Sequence, residues 1–155
     1  MAASSCENLD GMYVSVVIPC YYSEKTIEKV VTMTRDVLVA RGCRYEFVLV
    51  NDGSTDGTFD RIRALAADDP AVVGLNFAKN FGQHSAIIAG LRHVHGDYVM
   101  LMDDDMQTHP SQCGLLLDEM ARGDHDVVFA KYPQHKEALW RRLGSSFTLW
   151  TMRVL

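Results

Sequence analysis

Three aspartates in a row, Asp103, Asp104 and Asp105, follow directly on the apolar run YVMLM in the stretch LMDDDMQTHP. Burying one carboxylate without a partner is costly, and adjacent carboxylates repel each other, so such a cluster needs something to offset its charge. Asp103 and Asp105 are two residues apart, and extended backbone would point them to one side with Gln107 in the same phase. Hard oxygen donors in that arrangement suit Mg²⁺ or Mn²⁺, of which magnesium takes few protein ligands and completes its shell with water and phosphate oxygens. His109, beside the helix-starting Pro110, reads as a surface residue rather than a fourth ligand, and His84, His93, His95, His125 and His135 share no ligand spacing.

Two other segments carry the same kind of chemistry. In NDGSTD, Asp52 ends an apolar run and precedes Gly53, so it is either a turn carboxylate or an acceptor for the N–H groups of a nucleobase. Asp56, in STDGT, reads as a helix cap. In PCYYSE, Pro19, Tyr21 and Glu24 lie just past another apolar run, where Tyr21 could lend a base its aromatic face. Lys79, Asn80, Phe81 and Gly82 read equally as a loop before a helix or as a turn beside a nucleotide. The basic tract Lys131, Lys136, Arg141 and Arg142, followed by Ser145 and Ser146, reads either as a solvated face or as a cradle for a diphosphate or an anionic acceptor.

The elements that must position these residues alternate along the chain. Near-continuous apolar runs at 13–19, 45–52, 72–78, 98–105 and 126–132 predict strands covered on both faces. Helical spacing predicts helices over 24–41, 57–67, 83–94 and 111–122, with a last helix from about 137 to the chain end; Ser23 is the expected N-cap of the first. A βα order of this kind predicts an α/β fold, a doubly wound, mostly parallel sheet with right-handed crossovers and helices on both faces. Ligands of such sheets sit at the carboxyl ends of strands, where the three loaded segments fall.

Composition bounds the rest. The chain has 155 residues, 48% of them hydrophobic, and a net charge of −5, which argues against a nucleic-acid binder but not against a nucleotide ligand whose phosphates are offset by a cation. Cys6, Cys20, Cys43 and Cys113 form no pair motif and read as reduced thiols. The opening MAASSCENLDG lacks the pattern of a signal peptide, and no apolar run reaches the ~18 residues of a membrane span, so the chain as it stands is expected to be soluble and cytosolic. Residues 1–12 are expected to be a tail and 13–155 one domain, with the apolar FTLWTMRVL suggesting that the domain continues past residue 155.

Together, VSVVIPCYYSEKTI, FVLVNDGSTDGT, NFAKNFGQHSAIIAGL, GDYVMLMDDDMQTHP and DVVFAKY resemble the family 2 glycosyltransferases of GT-A fold, most closely the polyprenyl-phosphate branch that includes dolichyl-phosphate mannose synthase. The resemblance covers about residues 13–146. It implies an inverting, metal-dependent transferase moving a sugar from a UDP- or GDP-type donor to a polyprenyl phosphate at the cytoplasmic face of a membrane. It further implies that Pro19, Tyr21, Glu24 and Asp52 hold the nucleobase and Val50 its edge, and that Asp103 and Asp104 touch ribose or sugar phosphate. Asp105 and Gln107 would bind Mg²⁺ or Mn²⁺, Lys131 would stand near the diphosphate, and Arg141 with Ser145 would meet the acceptor phosphate. Ser23 stands where such members usually carry a carboxylate, Asp104 where alanine is common, and Lys131 where arginine is usual. Three alternatives stay open: a nucleotide-binding module without turnover, a transferase acting on a saccharide hydroxyl, and self-pairing through the apolar C-terminus. A dinucleotide domain is disfavoured because no G-x-G-x-x-G follows the first strand.

Overall fold

The computed structural model describes residue 9 and residues 11–106, 109–123 and 125–130. Four strands alternate with helices: β1 Tyr13–Cys20, α1 Ile27–Ala40, β2 Arg44–Asn51, α2 Thr58–Asp68, β3 Val72–Asn76, α3 Gln83–Leu91, β4 Tyr98–Leu101, then a 3₁₀ turn Pro110–Gln112 leading into α4 Cys113–Ala121. The strands form one parallel sheet in the order β3-β2-β1-β4. The order reverses at β1, which carries β2 on one side and β4 on the other. A crevice therefore opens above the carboxyl ends of β1 and β4.

Strand alternation divides the core in two. Val14, Val16 and Ile18 of β1 and Phe47 and Leu49 of β2 meet Ile27, Val30, Val31 and Leu38 of α1, Ile62 of α2 and Leu117 of α4. Val17, Val48 and Val50 point the other way and pack on Ala86 of α3. Side chains apolar on both faces explain why β1 and β2 read as unbroken apolar runs. The described cysteines Cys20, Cys43 and Cys113 are reduced and buried, as their scattered spacing suggested. No helix among the described residues is long and apolar enough to cross a membrane.

The structure corrects several boundaries. The fourth strand was expected to run through Asp105 but ends at Leu101; its last ladder bond is from the Met102 amide to the Val17 carbonyl (3.1 Å), and the chain then bends over Asp104–Met106, with Met106 at φ 62°. The fifth predicted strand is not formed over its described part, 126–130. Helix α1 begins at Ile27 rather than at residue 24. Ser23 serves it through its carbonyl, which accepts the amides of Thr26 and Ile27 (both 3.0 Å), and not through a side-chain cap, because its hydroxyl is used elsewhere. The predicted helix from residue 137 lies outside the described residues.

Candidate active site

Three loops wall the crevice, and each is held by its own hydrogen bonds. The loop after β2 is built around Asp52, which is 3% exposed. Its Oδ1 accepts the Phe81 amide (2.7 Å) and its Oδ2 the Gly82 amide (2.9 Å), so this carboxylate fixes the turn that starts α3. Gly53 lets the two loops meet: its φ is +70°, and a Cβ there would lie 2.2 Å from the Lys79 carbonyl carbon. Asn51 adds a second tie, its Nδ2 donating to Asn76 Oδ1 (2.7 Å) across the ends of β2 and β3.

The loop after β1 is strained and well secured. Tyr22 has φ 57°, unusual for a bulky residue, and its amide donates to Ser54 Oγ (3.0 Å) while its hydroxyl pairs with Thr55 Oγ1 (3.0 Å). The Ser23 amide donates to Thr58 Oγ1 (2.8 Å), and Thr58 in turn donates from both its amide (3.1 Å) and its hydroxyl (2.6 Å) to Asp56 Oδ1. The N-cap of α2 is Gly57 rather than the expected Asp56, which holds the first helical residue from one position earlier. Burial alone would raise the pKa of Asp56, but the bonds from Thr58 outweigh that and hold it below the ordinary carboxylate value.

The loop after β4 carries the acidic run. Asp103 Oδ1 accepts from Gln83 Nε2 (3.0 Å), at the first residue of α3. Asp104 Oδ2 accepts the Tyr21 amide (3.1 Å) and the Ser23 hydroxyl. Both Asp103 and Asp105 are exposed.

Pro19, Tyr21, Asp52, Asp103, Asp104 and Asp105, all singled out from sequence, line one crevice of about 350 Å³ together with Cys20, Asn80, Gly82 and Gln83. Tyr21 is 50% exposed and presents its ring at the mouth, edge-on to Tyr22 at 4.6 Å. Burial first, and the Asp104 charge second, push the Cys20 thiol well above its ordinary value, which disfavours the thiolate.

Two residues expected to contact the base, Val50 and Glu24, are not among those that line the crevice. Val50, the last residue but one of β2, is wholly buried, paired on both sides and packed against α3. Glu24 is engaged at the start of α2. Its Oε2 accepts the Gly57 amide (3.2 Å) ahead of α2, and a Cβ on Gly57 would press on it at 2.7 Å. Asp104, expected on ribose or sugar phosphate, lines the crevice and commits Oδ2 to the β1–α1 loop. The same-side projection of Asp103 and Asp105 assumed extended backbone, which the bend after Leu101 removes. Among the described residues, no three His, Cys, Asp or Glu side chains converge as a ready cation group. Gln107, Lys131, Arg141 and Ser145 lie outside the described residues.

Sequence reasoning missed Asn51, Asn76, Thr58 and Gln83 as builders of the site. The only sequence signal was position: each sits at a strand end or a helix start.

Comparison with known proteins agrees with this architecture. The family model for glycosyl transferase family 2 matches residues 15–153. The undecaprenyl-phosphate 4-deoxy-4-formamido-L-arabinose transferase of Shewanella sediminis is 36% identical over 136 residues, 87% of this chain and 40% of that protein. The enzyme of the same name from Pseudomonas aeruginosa is 37% identical over 133 residues, 85% of this chain and 39% of that protein. The chain therefore spans about two fifths of the length of these curated relatives. Among solved structures, a Pyrobaculum calidifontis mannosyltransferase in complex with GDP-mannose and Mn²⁺ shares the fold at TM-score 0.63 and 23% identity, over 76% of this chain and 34% of that one. The Mycobacterium tuberculosis glucosyl-3-phosphoglycerate synthase, in complex with Mn²⁺, UDP-glucose and phosphoglyceric acid, aligns at TM-score 0.58 and 27% identity, over 74% and 41%. The fold is the α/β arrangement of GT-A glycosyltransferases. With the family match running from β1 through almost the whole remaining length, the chain belongs to glycosyl transferase family 2.

Proposed function

We propose that this chain forms the donor side of an inverting, metal-dependent glycosyltransferase that moves a sugar from a nucleoside-diphosphate sugar to a polyprenyl phosphate on the cytoplasmic face of a membrane. The observation that carries the reading is the convergence of Tyr21, Asp52 and the acidic run Asp103–Asp105 on one crevice at the switch point of the sheet. The names of the relatives support the acceptor class, and the Mn²⁺ and nucleotide sugar of the mycobacterial synthase support the donor and metal.

The residues divide the work as follows. Tyr21 offers an exposed ring for stacking on the base. Asp52, already fixed by the amides of Phe81 and Gly82, keeps a second lone pair on each oxygen for N–H donors of the base. Asp103 and Asp105 supply hard, exposed carboxylate oxygens beside the crevice, a donor set that suits Mg²⁺ or Mn²⁺ better than softer metals, and Gln107 is the proposed third oxygen. Such a cation, when bound, would neutralise charge on the departing diphosphate. Lys131 is proposed to face that diphosphate, and Arg141 with Ser145 the acceptor phosphate. A phosphate acceptor is already an anion, so the transfer needs no protein base. A saccharide hydroxyl would need one.

The test is release of nucleoside diphosphate from UDP- and GDP-sugars with Mn²⁺ and undecaprenyl phosphate in detergent. The reading requires release that depends on the lipid. Nucleotide binding without any release would reduce the chain to a binding module, and release stimulated by a saccharide but not by the lipid would overturn the acceptor class.

A further inference from the structure

We infer that Asp104 is a positioning residue: it is the strut that sets how two walls of the crevice stand to each other by holding the β1–α1 loop against the β4 loop, a task distinct from that of its neighbours Asp103 and Asp105. The inference deepens the donor-site reading and rests on it.

Three adjacent carboxylates invite a single role, but the contacts separate them. The segment Tyr21–Ser23 is held from the β2 side by Ser54, Thr55 and Thr58. From the β4 side, the hydrogen bonds that reach it come to Asp104, which accepts the Tyr21 amide at 3.1 Å and the Ser23 hydroxyl on the same oxygen, Oδ2. The crevice is walled by these two loops and by the turn that starts α3, so the Asp104 bonds fix how two of its three walls stand to each other. They also act on Tyr21, the ring proposed to receive the base, and on the flank of Tyr22, whose left-handed backbone (φ 57°) needs support on both sides. Ser23 is 3% exposed, so its hydroxyl needs an acceptor, and Asp104 provides it.

The strut needs an acceptor oxygen, not a negative charge. A metal ligand of this kind needs the charge. Asp104→Asn therefore separates the two roles, because the amide oxygen can still accept from Tyr21 and Ser23. The experiment combines amide hydrogen exchange of the ligand-free full chain with titration of UDP and GDP, with and without Mn²⁺. In Asp104→Ala, exchange at Tyr21 should rise about tenfold or more, as expected for loss of a hydrogen bond to a charged group. Affinity for the nucleotide that the wild type takes should fall severalfold, while the factor by which Mn²⁺ improves it stays the same. Asp104→Asn should raise Tyr21 exchange severalfold less than Asp104→Ala, because a neutral acceptor keeps about half of the bond, and should leave the Mn²⁺ factor unchanged. Asp105→Ala should lose the Mn²⁺ factor with Tyr21 exchange unchanged. Unchanged Tyr21 exchange in Asp104→Ala, or loss of the Mn²⁺ factor in Asp104→Asn, would overturn the strut. A wild type that takes neither nucleotide would instead remove the donor-site reading, and the exchange comparison would still decide the strut.

Discussion

Replacing Gly53 by alanine tests whether the crevice depends on the close crossing of two loops. The residue sits at φ +70°, and its missing Cβ would fall 2.2 Å from the Lys79 carbonyl carbon, 2.5 Å from the Asn80 nitrogen and 2.7 Å from the Lys79 Cα. All three are backbone atoms, so no side chain can swing aside, and the 79–80 segment must retreat by more than about 1 Å to bring the 2.2 Å approach to the 3.4 Å of ordinary contact. The left-handed conformation alone costs an alanine roughly 1–2 kcal/mol. Retreat of the segment also stretches the bonds from Phe81 and Gly82 to the buried Asp52 carboxylate, each of a kind worth about 1.5–3 kcal/mol. Partial loss of the two, added to the strain, gives about 3 kcal/mol. With a urea slope near ~1.5 kcal/mol/M, the unfolding midpoint should fall by about 2 M. Gly123→Ala is the control: it has φ +78° but open space around its Cβ, so only the conformational cost of roughly 1–2 kcal/mol remains. Equal midpoint shifts for the two variants would refute the reasoning, because they would show that the loop crossing carries no weight beyond backbone strain.

Other expectations follow from the same contacts. Arg41 holds Asp118 through two parallel bonds, Nε to Oδ1 and Nη2 to Oδ2, both 3.0 Å, with side chains 11% and 15% exposed; Arg41→Ala should cost roughly 2–4 kcal/mol in chemical denaturation by leaving a mostly buried carboxylate without this partner. Burial would raise the pKa of Glu46 on β2, but bonds from the Ser15 hydroxyl (2.5 Å) and from the His95 amide and ring outweigh it and leave the carboxyl below its ordinary value. A depressed carboxylate stabilises the fold above its unfolded pKa and loses that contribution as pH falls through the folded one. Asp56 and Asp69 act in the same sense, so the thermal midpoint should hold from neutral pH to about 5 and drop below about 4. Glu46→Gln should lower the midpoint at pH 7 by the equivalent of about 1–3 kcal/mol and make the acid limb shallower. Asp52→Ala should free the Phe81 amide and leave the Gly82 amide only its bond to Asn80 Oδ1 (3.0 Å), speed exchange at Phe81 about tenfold or more, and abolish nucleotide binding in calorimetry.

How much of this was legible in the sequence differs between the frame and the site. The unbroken apolar runs of β1 and β2 stated correctly that both faces would be covered, and α1 and α2 followed from helical spacing. Pro19, Tyr21, Asp52 and the three aspartates could be gathered from one rule, that strand ends converge in a parallel sheet. What could not be read was which way each polar side chain turns once there. Glu24 looked as available to a ligand as Tyr21, yet the Gly57 amide claims it from 33 residues away. Glu46 is hidden inside an apolar run, and the partners that make its burial tolerable, Ser15 and His95, lie 31 and 49 residues off. Strand β4 stopped early because the periodicity that predicts a strand does not register the bend by which Asp104 meets Tyr21 and Ser23.

The most direct test of the central claim is calorimetric titration of UDP and GDP, with and without Mn²⁺, into wild type and Asp105→Ala. The account predicts that one nucleotide binds, that Mn²⁺ tightens it, and that Asp105→Ala removes the effect of Mn²⁺. Folded wild type that binds neither nucleotide, or an Asp105→Ala variant with an undiminished Mn²⁺ effect, would contradict it.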